Sequence, residues 1–232
     1  MPRPGEVVAI LADLAVTSDR LRRLIAGFTA RERQRADSFA TDEWRDRWSA
    51  ARGTLREVLG RALGIAPESV TLRYRPHGKP EVDPACAPLA GELRFNLSHS
   101  GERALIALAR VEVGADVERL KRRRTDDIAR RFFAPGEQQK LFALSPVERE
   151  QAFFRLWTCK EAFLKVTGEG LSRSTRSYEI ELGPGGARLL WAAGVADAAE
   201  RFSVYPLDPG NGYAAALFAE AQGLTLRRFR WP

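Results

Sequence analysis

The feature that most constrains this chain is the stretch FFRLWTCKEAFLK at residues 153–165. Ser145, Pro146 and Glu148 precede it in the order expected at a helix N-terminus, with the serine and glutamate spaced as a capping box. Gly168 follows it as a helix stop signal. At helical spacing its aromatic and leucine side chains fall on one face. The pattern predicts one long helix with a buried apolar side.

Three charged residues of this helix point to function. Lys160 falls inside the apolar stripe, whereas Glu161 and Lys165 lie on its flank, one turn apart. Burying an unpaired ammonium costs far more than its packing contributes. We therefore expect the helix to form the wall of a charged cleft.

Composition limits the class of protein. The 232 residues can bury one sizeable core or two small ones, and 44% apolar and 29% charged residues are typical of a soluble globular protein. The apolar run Val7–Leu14 is too short for a membrane span or signal peptide, so we expect a cytoplasmic protein with no membrane partner. Cys86 and Cys159 show neither metal nor redox spacing.

The net charge of +7 predicts an anionic partner. Such a partner could be nucleic acid, a phosphorylated small molecule or an acidic protein. The net charge alone does not distinguish between these three classes.

The predicted secondary structure mixes strands and helices without regular alternation, which indicates an α+β fold. A second long helix is expected at residues 42–63, and a polar turn at Ser98–Gly101 between strands at 93–97 and 103–109. The strands of the last third, ending at 224–229, are expected to form antiparallel sheet.

Carboxylates define a candidate metal site. In the strand GADVE, Asp116 and Glu118 share one face, about 7 Å apart. Glu161 on the long helix and Glu137 at a helix start add further oxygen donors. Oxygen ligands without histidine or cysteine favour Mg²⁺ over zinc. A solvent-facing strand edge is the alternative for Asp116 and Glu118.

The segment FNLSHSG carries a serine next to a histidine. Ser98 and His99 point to opposite faces if the strand continues, and no acid that would orient the histidine is evident, so a serine hydrolase is disfavoured. Phosphate binding fits this polar turn better. The chain has no Gly-x-Gly-x-x-Gly and no Walker A sequence, which disfavours dinucleotide and nucleoside-triphosphate sites.

Five motifs in order resemble the Sfp-type 4'-phosphopantetheinyl transferases over about residues 52–172. They are GKP (78–80), FNLSHSG (95–101), GADVE (114–118), RRFFAPGE (130–137) and WTCKEAFLK (157–165). These enzymes move phosphopantetheine from coenzyme A to a serine of an acyl or peptidyl carrier protein and release 3',5'-ADP. The resemblance implies a monomer of two similar α+β halves with the active site in the cleft between them.

We expect residues 1–103 to hold the nucleotide end of coenzyme A, and residues 104–232 to carry the metal site and the docking surface for the carrier. By resemblance, Asp116, Glu118 and Glu161 are Mg²⁺ ligands and Glu137 lies near a metal-bound water. Lys165 lies beside the bridging phosphates. The expected catalytic residues are therefore Glu161, Lys165 and Glu137, and it stays open whether Glu161 takes the serine proton directly or through water.

The resemblance also implies residues that bind coenzyme A. They are Arg52 at the 3'-phosphate, Lys79, Ser98, His99, Lys160 and Arg35. The match at Arg35 is looser, because Glu32 stands where the family often has a basic residue.

The partner expected from the resemblance is an acidic carrier protein. The basic run Lys121–Arg124, with Arg130 and Arg131, would face it, although a solvated loop explains these residues equally well. Fatty-acid, polyketide and nonribosomal-peptide carriers all remain open, as does the use of acylated coenzyme A.

Two other functions compete. A Mg²⁺-dependent nuclease would use the same carboxylates and basic surface, but the helix has Lys160-Glu161 instead of an E-x-K pair on a strand. A non-catalytic nucleic-acid binder leaves the acidic cluster unexplained, because unpaired carboxylates repel phosphate. We therefore expect no nucleic-acid partner.

Overall fold

The structure is a computed structural model that describes residues 1–121, 124–184 and 186–232. Its first elements are β1 (Glu6–Asp13), α1 (Ser18–Ala26), α2 (Ala30–Asp37), α3 (Asp42–Leu63), β2 (Leu72–Tyr74), β3 (Pro80–Val82), β4 (Arg94–Ser100) and β5 (Arg103–Ala109). The later ones are β6 (Val113–Arg119), α4 (Thr125–Phe132), α5 (Pro135–Phe142), α6 (Pro146–Thr167), β7 (Tyr178–Gly183), β8 (Gly186–Ala192), α7 (Ala198–Arg201), β9 (Ser203–Leu207), β10 (Tyr213–Ala219) and β11 (Thr225–Trp231).

Both long helices are confirmed, each with 22 residues. Glu148 accepts hydrogen bonds from the backbone and hydroxyl of Ser145, which begins α6 as its capping box predicts. Helix α3 begins after Thr41, whose hydroxyl accepts from the Trp44 backbone. Each helix ends at a glycine in the left-handed region, with φ of 71° at Gly64 and 73° at Gly168.

The order of elements repeats along the chain. A strand, two short helices, a 22-residue helix, a hairpin and two further strands occur as β1 to β5 and again as β6 to β10. The sheets repeat as well, since β1-β5-β4 in one corresponds to β6-β10-β9 in the other. The expectation of an α+β fold with two similar halves is confirmed.

The two sheets lie at the centre with a long helix on each outer face. Alternation along β1 directs Val8 and Ile10 towards Leu55 of α3, and Val7 towards the second sheet. On the far side, Phe163 of α6 packs with Phe218 of β10. The layer between the sheets is rich in alanine, which lets their backbones approach closely.

Two predictions about strands are wrong. The last strand, β11, does not extend an antiparallel sheet of the second half, because it pairs in parallel with β1 in the first sheet. The expected turn at Ser98–Gly101 is also shorter. Strand β4 continues to Ser100, and Gly101 with φ of 57° begins the turn.

The division of the chain after residue 103 stays a prediction. The structural repeat pairs β5 with β1 and β4 and adds β11 to the same sheet. We therefore propose to divide the halves between β5 and β6 and to count β11 with the first. Within the described residues, no helix combines the length and the hydropathy needed to cross a bilayer.

Candidate active site

Strands β4 and β6 are edge strands of their sheets, and side chains of β4 join them. These side chains share one face of β4 because they alternate along it. The contacts are Ala115 N donating to Asn96 Oδ1 (2.9 Å), Ser98 Oγ donating to Asp116 Oδ1 (2.8 Å) and Ser100 Oγ donating to Glu118 Oε2 (2.8 Å). This row of bonds, the serine ladder, brings Ser98 to the predicted carboxylates across the junction of the halves.

Lys165 completes a three-residue centre with Ser98 and Asp116. Its Nζ donates to Asp116 Oδ1 at 2.6 Å and to Ser98 Oγ at 3.0 Å. Asp116 is 3% exposed, and its other oxygen, Oδ2, is buried without a hydrogen-bond partner. A buried carboxylate oxygen left unpaired is costly, so this atom is suited to an incoming cation or proton donor.

Gly114 explains how α6 reaches β6. A Cβ at this position would lie 2.1 Å from the Ala162 carbonyl oxygen and 2.4 Å from the Val166 amide nitrogen. Only glycine lets the two backbones touch. Because Asp116 and Lys165 lie within three residues of this contact on their own elements, it fixes the distance between them.

Glu161 lies one turn before Lys165 on α6. Burial raises the pKa of its carboxyl group, and the negative charges of Asp116 and then Glu118 add to the effect, while Lys165 opposes it. The three predicted metal ligands are therefore close enough to act on one another electrostatically. Among the described residues, however, no group of three His, Cys, Asp or Glu side chains is arranged to hold a metal ion without rearrangement.

His99 lies on the opposite face of β4 from Ser98 and is exposed at the rim of this centre. Desolvation by the surrounding walls, and then the positive charge of Lys165, hold its pKa below the ordinary value. This environment favours the neutral imidazole, which can donate or accept a hydrogen bond.

Lys160 and Glu137 are not brought to this centre. They form an ion pair inside the second half, with Lys160 Nζ 2.7 and 2.8 Å from the two carboxylate oxygens. Glu137 also accepts from the Ala134 and Ile180 backbones, and the two side chains are at most 1% exposed. The expectation that Lys160 faces a charged cleft is not met, because its buried partner satisfies it from within the core.

Lys79 is enclosed between the halves. It extends from the β2–β3 turn to Glu112, and its side chain is 7% exposed. Burial lowers the pKa of Lys79 although Glu112 opposes the effect. Glu112 also receives Arg75 (2.5 Å) and Arg94 (3.1 Å), so this carboxylate is the centre of an ion cluster that the sequence did not reveal.

Arg52 is largely engaged within the first half. Its Nε donates to Glu32 at 2.6 Å and an amino group donates to the Tyr74 hydroxyl at 2.9 Å. Glu32 is 5% exposed and also binds Arg56. Arg35 is exposed and stacks on a neighbouring ring instead of joining this group. Glu32 thus neutralises Arg52, which the resemblance assigned to a phosphate.

The expected docking surface is only partly described. Lys121, Arg124, Arg130 and Arg131 are exposed, whereas Arg122 and Arg123 fall outside the described residues. Arg130 stacks over the ring of Phe142 in α5, and Arg131 stacks over the ring of Phe132 in α4.

Asn96 and Ser100 belong to the candidate site through their contacts with β6, and the sequence analysis did not single them out. Their spacing with Ser98, Asn-x-Ser-x-Ser, has the period of two of a strand, which was the available signal. It was hidden because a cluster of small polar residues ending in glycine also suits a turn.

Comparisons with known proteins identify the family. A model of the 4'-phosphopantetheinyl transferase superfamily matches residues 112–218, which run from just before β6 into β10. The 4'-phosphopantetheinyl transferase HetI of Nostoc sp. is 41% identical over 169 residues, covering 71% of this chain and 69% of HetI. The chain belongs to the 4'-phosphopantetheinyl transferase family.

Another member of the transferase family, from Bacillus subtilis, is 29% identical over 177 residues and 76% of each chain. Among solved structures, the holo-(acyl-carrier-protein) synthase of Bacillus anthracis in complex with CoA (3',5'-ADP) is 19% identical. That likeness has a TM-score of 0.40 and covers 48% of this chain and 97% of the other. The family matches confirm the resemblance that the five motifs indicated.

Proposed function

We propose that this transferase moves the 4'-phosphopantetheine group of coenzyme A to a serine of an acyl or peptidyl carrier protein and releases 3',5'-ADP. The observation that carries the proposal is the Ser98–Asp116–Lys165 centre, where a lysine and a half-satisfied buried carboxylate meet at the junction of the halves. Both halves contribute to it within one chain, which supports a monomer as the active unit.

Mg²⁺ fits the residues of this centre. Asp116 Oδ2 is a buried oxygen without a partner. Burial first, and then repulsion by Asp116, raise the pKa of Glu161, and a divalent cation would relieve that repulsion. The donors are all oxygen, which suits Mg²⁺. We propose Asp116 and Glu161 as its ligands, with Glu118 as a third. When bound, the ion would neutralise charge on the pyrophosphate.

The chain's own residues supply the remaining chemistry. The carrier serine oxygen forms a bond to the phosphorus next to the pantetheine arm, and the bond from that phosphorus to the oxygen of 3',5'-ADP breaks. The Lys165 ammonium, 29% exposed, stabilises the negative charge that develops on the leaving phosphate. The serine proton passes to Glu161, one turn before Lys165 on α6, either directly or through a water molecule.

For the nucleotide end of coenzyme A, we propose contacts from His99 and from Arg52. His99 is exposed beside the centre, and Arg52 donates to the hydroxyl of Tyr74, over whose ring Arg31 stacks. We do not extend the proposal to Lys160 or Glu137, because their contacts are complete inside the core. An acidic carrier, a cytoplasmic location and the pathway stay predictions.

The test is transfer itself. The purified chain is incubated with coenzyme A, Mg²⁺ and a panel of carrier proteins that lack phosphopantetheine. The intact mass of each carrier is then measured by mass spectrometry. We expect one carrier class to gain a single phosphopantetheine, and its serine-to-alanine variant to gain none. Nucleic-acid cleavage without any carrier modification would support the nuclease alternative instead.

A further inference from the structure

Lys79 is the most completely bonded lysine at the junction of the halves. Its Nζ donates to Glu112 Oε2 (2.8 Å), to the Val113 carbonyl (3.1 Å) and to the Val166 carbonyl (3.2 Å). An ammonium has three N–H groups, so all of them are used. A phosphate could be bound only at the loss of one of these bonds.

The two carbonyls belong to the elements that carry the centre. Val113 begins β6, three residues before Asp116, and Val166 follows Lys165 in the last turn of α6. The final carbonyls of a helix have no partner within it and carry partial negative charge, so an ammonium there acts as a C-terminal cap. Both carbonyls adjoin the close contact at Gly114.

We infer that Lys79 is a positioning residue for the proposed transfer, not a ligand of coenzyme A. From the β2–β3 turn of the first half it ties the start of β6 to the end of α6, and so holds Asp116 and Lys165 in register. This inference rests on the proposed function for its kinetic readout only.

Loss of Lys79 should leave a folded protein. Glu112 keeps Arg75 and Arg94 on its other oxygen, so its charge stays paired. The two carbonyls lose their shared donor, and α6 is free to shift against β6. A displacement of about 1 Å between reacting groups can cost on the order of 10²-fold in rate.

The test compares Lys79→Met with Lys140→Met, a matched change of an exposed lysine that pairs with Glu181 at the surface. The dissociation constant of coenzyme A is measured by calorimetry, and kcat and KM by transfer to a carrier. For Lys79→Met we expect kcat to fall roughly 10- to 100-fold while coenzyme A binding stays within about 2-fold. Lys140→Met should change neither kcat nor coenzyme A binding.

Two results would overturn the inference. Weaker coenzyme A binding with unchanged kcat would make Lys79 a ligand of coenzyme A. Unchanged kcat and unchanged binding would mean that Lys79 does not position the reacting groups.

A second measurement needs no activity. Amide hydrogen exchange of residues 113–118 and 162–168 should quicken in Lys79→Met and not in Lys140→Met, because the bonds from Lys79 to the Val113 and Val166 carbonyls, the Lys79 clamp, join these segments. If the wild type modifies no carrier, the proposed function fails, and this exchange still decides whether the clamp exists. Unchanged exchange in both segments would overturn it.

Discussion

Asp116 has one carboxylate oxygen bonded by both Ser98 and Lys165 and a second, buried oxygen with no partner. We expect Asp116→Asn to lower kcat for transfer by on the order of 10²- to 10³-fold, because the neutral amide neither pairs with Lys165 nor attracts a cation. Rates are measured at saturating coenzyme A and Mg²⁺. Asp127→Asn, at an exposed aspartate of α4, is the control. A rate within about 2-fold of the control would contradict the assignment.

Glu32 should make the stability of the protein depend on pH. Burial opposes its charge, but hydrogen bonds from Arg56, from the Thr29 backbone and from Arg52 outweigh it and lower its pKa from 4.5 to about 2. A lowered pKa means that the ionised group stabilises the folded state above about pH 4.5, and that this contribution is lost as the pH falls towards 2.

We therefore expect Glu32→Gln to lower the free energy of unfolding at neutral pH by on the order of 3 kcal/mol, since two buried arginines lose their counter-charge. Urea unfolding gives this value, and the difference from wild type should narrow between about pH 5 and pH 3. Glu43→Gln, at an exposed glutamate, should show no such difference. A difference that stays constant over this range would assign the effect to something other than the charge of Glu32.

At this scale the sequence predicted what local geometry controls. Alternation placed Asp116 and Glu118 on one face, and helical spacing placed Glu161 beside Lys165. The sequence did not reveal that Lys160 turns inward to Glu137, or that Glu32 pairs with Arg52. The partners of these pairs are 23 and 20 residues apart in sequence, and only the packing of the fold brings them together. Matching a motif identifies a residue type but not the direction in which its side chain points.

Among the elements, the contact between β6 and α6 is the one that shapes the site. We expect Gly114→Ala to destabilise the protein by about 2 kcal/mol or more and to reduce transfer, because the added methyl group would force the backbones apart. Thermal unfolding and transfer rate measure both effects. Gly183→Ala is the matched control, since a Cβ there meets nothing within 4 Å. Equal melting temperatures for the two variants would show that the contact is not tight.

Elements with local signals were predictable, and those defined by their partners were not. Helices α3 and α6 have capping residues and glycine stops within their own sequence. Strand β11 looks like any other strand, but its partner β1 lies more than 200 residues earlier, so nothing nearby indicated a parallel pairing. Ser98 and Ser100 look like a turn in sequence, but β4 continues through them because their backbones pair with β5, and only then do their hydroxyls reach β6.

For the whole molecule, the net charge of +7 is expected to guide an acidic carrier. Reversing Lys121 and Arg124 together to glutamate should raise KM for the carrier roughly 10-fold and leave KM for coenzyme A unchanged. The effect should shrink as salt rises, because exposed charges are screened over about 10 Å at 0.1 M. Reversal of Arg22 and Arg33, exposed on the first half, is the control. Equal carrier KM values at low salt would remove this loop from the docking surface.

The pairing of β11 with β1 sets an order of events during translation. The second half has all its strands once residue 219 has left the ribosome, whereas the first sheet waits for residues 225–231. The half that is synthesised first is therefore completed last. A nascent chain paused between these points exposes the hydrogen-bonding edge of β1, which is a template for pairing with a neighbouring polypeptide. We expect chaperone binding to this protein to be strongest in that brief interval.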